Sequence, residues 1–214
     1  MTTRIERIVL TKPGKLLYTI FLDDGSNREI REESLLRFGL SPGSTMNADL
    51  ESKIRQYEQE ISCKEQAYRY LARRPHLERE LANKLRNKGY SADLIGRTIH
   101  YLKEKNLLDD SDFISRFAEE EKKLRHSGPL RIKKKLLARG ASNETIDEWL
   151  RQFYPEEEQI QHAKILAEKK YSMLQNYPKQ KRFQKIQSYL QQKGYSWYII
   201  KETVALWIAD DDAS

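Results

Sequence analysis

With 214 residues, a third of them charged and a formal net charge of +7, the chain is long enough for more than one core and biased toward an anionic partner. No apolar run approaches the roughly 20 residues of a membrane span, and residues 1–6 hold no hydrophobic signal core. The single cysteine, Cys63, excludes an internal disulfide and fits a reducing cytoplasm.

Residues 1–46 read as a small β-rich extension. Residues 4–10 and 16–22 are β-branched and aliphatic runs on either side of Lys12-Pro13-Gly14-Lys15. Asp23-Asp24-Gly25 makes a second turn, and a short strand near 28–30 completes a meander. A short helix ends at Phe38-Gly39, and Ser41-Pro42-Gly43-Ser44 reads as a linker. A hairpin of this size is marginal alone, so it should lean on the helices that follow. Asn47 is placed to cap a long helix, with Leu50, Ile54, Tyr57 and Ile61 at 4-3-4 spacing, and Arg74-Pro75 ends it.

From there the chain repeats. Leu81–Gly89, Ile132–Gly140 and Ile186–Gly194 align without a gap, their glycines 51 and 54 residues apart. Each copy has an aliphatic residue eight and four positions before the glycine, which makes a buried stripe. A cation (Lys88, Arg139, Lys193) precedes the glycine, facing the negative end of the helix dipole at a left-handed C-terminal turn. Ser91, Ser142 and Asn143, and Ser196 are placed to cap a second amphipathic helix, whose apolar positions fall at Leu94/Ile95, Thr145/Ile146 and Ile199/Ile200, then Ile99/Leu102, Leu150/Phe153 and Val204/Trp207. A further helix precedes each basic one, at 62–73, 112–124 and 156–171. The fold class is therefore mainly α: three tandem three-helix repeats in a curved array behind a small β-hairpin or meander. The segments are 1–46, 47–108 (long helix plus first repeat), 109–155 and 156–214, the last ending in a frayed acidic tail, Asp210-Asp211-Asp212-Ala213-Ser214.

Charge is unevenly spread. Residues 62–107 carry eleven basic against five acidic side chains. Residues 122–139 hold eight cations (Lys122, Lys123, Arg125, Arg131, Lys133, Lys134, Lys135, Arg139) and no acid, and residues 169–201 hold eight more, again without an acid. Single cations before the glycines read as dipole partners, but acid-free runs on repeated helices read as a binding stripe, because solvated helices ordinarily mix signs. No phosphate loop, dinucleotide-binding glycine pattern, nucleophile elbow or metal-ligand spacing appears, so catalysis, a cofactor and a metal are not expected. His76, His100, His126 and His162 are scattered and read as surface or cap residues. Tyr90 and Tyr195 read as packing residues beside their turns, ahead of a role in stacking on bases.

With its Lys/Arg-Gly-Tyr/Ala turns, and with Leu107-Leu108-Asp109-Asp110 followed by Phe113 and Phe117, the chain resembles the RecX family of bacterial RecA regulators over about residues 67–207. The resemblance implies a non-enzymatic modulator with no cofactor. Such a protein binds the RecA filament on single-stranded DNA, lies in its helical groove, limits its growth and lowers strand exchange, ATP turnover and repressor cleavage. The face expected to bind comprises Arg73, Arg74, Arg79, Lys84, Arg86 and Lys88 in the first repeat, the eight cations of 122–139 in the second, and Lys181, Arg182, Lys185 and Lys193 in the third. A monomer in the cytoplasm is expected, with no membrane partner. The alternative is a stand-alone DNA-binding protein built of helix-turn-helix-like modules.

Overall fold

The computed structural model describes residues 2–212, leaving out the side chains of Lys15 and of 206–212. The chain forms two compact units, one of residues 1–73 with 84–101, the other of residues 74–83 with 102–214.

In the first unit, β1 (Thr3–Lys12), β2 (Leu17–Leu22) and β3 (Asn27–Arg31) form the expected antiparallel meander, closed by a left-handed Leu16 and by Gly25 at φ 83°. Helix α1 (Glu32–Arg37) follows. The expected linker is a turn tied to the edge of the sheet. Gly43 N donates to Ile5 O (2.7 Å), Ile5 N donates to Ser44 O (2.9 Å), and β4 (Thr45–Met46) pairs with β1, giving the order β3-β2-β1-β4. A two-residue strand among Ser, Pro and Gly carries too little pattern to be read locally.

Helix α2 (Ala48–Leu71) begins where Asn47 Oδ1 accepts from Leu50 N (2.8 Å) and runs unbroken into the first repeat. Its Ile54 joins Ile5, Ile20, Leu22, Ile30, Leu35, Leu40 and Met46 in one apolar cluster, so the sheet does lean on this helix. Polar contacts reinforce the junction: Arg31 pairs with Glu58 and Glu65, and Ser34 Oγ donates to Glu58 (2.6 Å).

The remaining helices are α3 (Glu78–Arg86), α4 (Ala92–Glu104), α5 (Asp110–Arg125), α6 (Pro129–Arg139), α7 (Asn143–Phe153), α8 (Glu156–Ser172), α9 (Lys179–Gln192) and α10 (Trp197–Asp212). Periodicity located their buried positions well. Leu81, Leu85, Ile132, Leu136, Ile186 and Leu190 are all fully buried, and Ser91, Ser142 and Ser196 cap as expected. Phe153 is an exception: it is 44% exposed, and Trp149 fills the core beside it. Trp207 lies outside the described side chains. Helix α10 carries the acidic run as far as Asp212, where a frayed tail was expected, and Ala213 and Ser214 lie outside the described residues.

The second unit holds two neighbouring cores. One gathers Leu77, Phe113, Ile114, Ile132, Leu136, Ile146, Trp149 and Tyr154, the other Leu166, Ile186, Leu190, Tyr195, Ile199 and Ile200. They are joined where the start of α6 meets the glycine turn after α9. Gly128 N donates to Lys193 O (2.8 Å) and Leu130 N to Gly194 O (3.0 Å), so the free N–H groups of one helix meet the free carbonyls of another. A Cβ on Gly128 would stand 2.6 Å from Tyr195 N, so only glycine allows this approach.

Candidate partner interface

In the first repeat the candidate cations are mostly in water. Arg73 and Lys88 are exposed and make no ion pair among the described residues, and Arg86 is exposed as well. Lys84 Nζ stands 5.2 Å above the Tyr70 ring. Arg74 is committed locally, to Glu80 and to Pro75 O. The exposed Arg79 lays its aliphatic stem beside Gly140. Tyr90 hydrogen-bonds Ser62 through its hydroxyl, in keeping with a packing role.

In the second repeat, the run 122–139 is acid-free along the chain but not in space. Lys122 is 6% exposed; its Nζ donates to Phe153 O (2.8 Å) and pairs with Glu119 and Glu158. Lys123 pairs with Glu119, Arg125 with Glu120 and Glu121, and Lys135 with Glu121. Lys133 Nζ lies 2.6 and 2.7 Å from the two oxygens of Asp147. Arg139 sits over the Phe117 ring at 4.7 Å. Most of the run is thus neutralised by acids on α5, α7 and α8. Arg131 donates to Gln192 O (3.2 Å), and Lys134 makes no ion pair among the described residues.

The third repeat behaves differently. Its sequence departs most from the first, with Tyr189 and Gln191 where the first has Lys84 and Arg86. In the structure Tyr189 receives both Lys170 (5.3 Å) and Lys193 (5.5 Å) over its ring. Arg182 lies over Tyr171, and Lys185 stands 4.5 Å above Tyr177. Lys181 is exposed and makes no ion pair among the described residues. A ring holds a cation by about 0.5–1 kcal/mol at exposed sites without cancelling its charge, so the field of these residues remains available to an anion. Sequence reasoning missed the aromatic half of this surface: Tyr177, Trp197 and Tyr198 are 42, 64 and 55% exposed. The signal was present, since residues 171–198 interleave rings with cations and hold no acid.

Between the two cores of the second unit lies a polar cluster. His126 is the left-handed cap of α5 and His100 is exposed, as the reading of the histidines as surface or cap residues has it, but they are not all scattered or at the surface: His126 and His162 on α8 bring their rings to 4.8 Å, and His76 is buried. The Tyr154 hydroxyl lies 3.1 Å from His162 Nδ1 and 3.4 Å from the Tyr195 hydroxyl, which donates to His126 O (2.9 Å). Tyr195 therefore packs in the core, as expected. Burial pushes the phenols of Tyr154 and Tyr195 up, the latter to about 12. Burial, helped by His126 and Lys122 and opposed by Glu158, holds the His162 imidazole below its usual 6.5. Below pH 6.5 the unfolded chain takes up a proton that the folded chain refuses, so stability should fall on acidification from that point. The measurement is the denaturation midpoint against pH; a His162→Gln variant with the same slope below pH 6.5 would contradict this cause.

Among the described residues there is no group of three or more His, Cys, Asp or Glu side chains able to hold a metal, and no helix is long and apolar enough to cross a membrane.

Residues 63–102 match the first three-helix domain of RecX, and residues 156–204 match the third. The regulatory protein RecX of Clostridium botulinum (strain Eklund 17B / Type B) is 30% identical over 203 residues, spanning 94% of each chain. That of Clostridioides difficile (strain 630) is 30% identical over 86% of each. A crystal structure of regulatory protein RecX superposes with a TM-score of 0.73 at 25% identity, covering 95% of this chain and 99% of that one.

Proposed function

Because the chain belongs to the RecX family of regulatory proteins, we propose that it regulates the RecA recombinase, binding the RecA–single-stranded DNA filament through its cationic helical faces. It limits filament growth, and with it strand exchange and ATP hydrolysis, as a monomer in the cytoplasm and without a reaction of its own. The observation that supports the reading best is the third repeat, where Lys170, Arg182, Lys185 and Lys193 rest on aromatic rings and keep their charge and Lys181 stands exposed. The exposed Arg73, Lys88 and Lys134 extend the same surface chemistry to the other repeats.

The experiment is RecA ATP hydrolysis on single-stranded DNA, with this protein added below stoichiometry. Hydrolysis should fall. Charge reversal of Lys181 and Lys185 together should weaken that effect about thirtyfold or more, because two charge-assisted contacts of roughly 1 kcal/mol each are lost and replaced by repulsion. Hydrolysis unchanged by the wild-type protein would end the reading.

A further inference from the structure

A groove of about 680 Å³ opens in the second unit where α6 faces the turn between α9 and α10. We propose that it is a nucleotide site, in which an unpaired base of a single-stranded nucleic acid stacks on Trp197 while the adjoining phosphate meets Lys134. This deepens the filament reading and rests on it.

The chemistry of the lining is the argument. Trp197 begins α10 with 64% of its surface exposed, and Leu130 across the groove is 59% exposed, so a large flat apolar surface is left open to water. None of the lining residues is acidic, and three are cationic. Two of these are already committed, Arg131 to Gln192 O and Lys135 to Glu121. Lys134 is not, and it stands exposed on the same wall.

The walls are also held in place beforehand. The Gly128–Lys193 and Leu130–Gly194 hydrogen bonds tie α6 to the turn that carries Trp197, so binding need not order the site. A ring beside an ammonium, with the amides of Gln191 and Gln192 at the rim, suits a base and its phosphate without selecting one base. An acidic protein segment would satisfy the cations too, but peptide anchors favour enclosed, fully desolvated pockets, and this ring is open.

The test is fluorescence anisotropy of the full chain, without RecA, on a labelled oligothymidylate, an oligouridylate and an abasic oligomer of equal length. Wild type should bind the base-bearing strands about tenfold more tightly than the abasic one, the scale of one stacked base. The tighter of the two base-bearing strands identifies the source. Trp197→Ala should abolish the preference and leave abasic binding unchanged, Trp197→Phe should retain most of it, and Lys134→Glu should weaken all three. A Trp197→Ala protein that binds oligothymidylate like wild type overturns the proposal, as does a wild type blind to the bases. If Trp197→Ala instead weakened only the effect on RecA, the occupant would be a protein segment, which also overturns it. ATP hydrolysis run in parallel separates the two failures: a wild type that does not slow RecA removes the filament reading, whereas one that slows RecA but ignores bases removes only the groove.

Discussion

Replacing Gly194 with alanine should destabilise the protein by about 3 kcal/mol or more, whereas the same change at Gly89 should cost only about 1 kcal/mol. The two glycines are equivalent in the repeat and share a backbone conformation, φ 92° and 90°, so the strain of a Cβ at positive φ is common to both. They differ in surroundings. A Cβ on Gly89 would meet nothing within 4 Å, but on Gly194 it would lie 2.5 Å from Arg131 Cβ and 2.9 Å from Arg131 Cα. Relief would require α6 to move, breaking the two backbone hydrogen bonds that join it to this turn. Gly140, at φ 99°, should fall between, because its nearest neighbour, Arg79 Cβ, would lie 3.0 Å from the added carbon, a crowding milder than the 2.5 Å at Gly194. Denaturant midpoints of the three alanine variants measure the series. Three equal losses would mean that only the torsion matters and that the close approach at Gly194 contributes nothing.

That series also shows how far the sequence could be read. The alignment of three glycines requires only local information: 3.6-residue periodicity, a left-handed C-terminal turn and a capping serine each lie within a few positions of one another, and all three copies formed as those signals dictate. What one glycine touches is set by a chain segment some 60 residues away, and nothing in the repeat announces that Gly194 meets α6 while Gly89 meets open space. The same limit governs charge. Lys133 and Lys135 look free along the chain because their partners, Asp147 and Glu121, lie fourteen residues off on other helices. The cations of the third repeat look less consistent because Tyr189 replaces a lysine, yet that ring is what Lys170 and Lys193 stand on. Run composition thus located the basic helices but could not separate the cations that hold the fold together from those left for a partner.

Removing Glu121 should show that separation directly. Its carboxylate is 1% exposed and receives Arg125 Nη1 (2.6 Å), Ser127 Oγ (2.9 Å) and Lys135 Nζ (2.7 Å), fixing the end of α5 against the first turns of α6. Glu121→Ala leaves the buried Ser127 hydroxyl and the Lys135 ammonium without that acceptor. Breaking a fully buried pair costs about 3–5 kcal/mol, but Lys135 and Arg125 are partly exposed and recover hydration, so about 2–3 kcal/mol is expected here. Burial alone would raise the Glu121 carboxyl; the bonds from Lys135 and Ser127 and the charges of Lys135 and Arg125 outweigh it and hold the group below its usual 4.5. Its stabilisation is therefore full above that value and lost as pH falls through the lower folded value, so the gap between wild type and Glu121→Gln should narrow in acid. A gap that stays constant down to about pH 3 would assign the loss to packing and not to the ion pair. Lys135→Glu would place two carboxylates together at the same spot, and any loss of partner binding in that variant would report unfolding. Of the cations on α6, Lys134 is the one whose reversal leaves this framework intact, which makes it the appropriate probe of the surface.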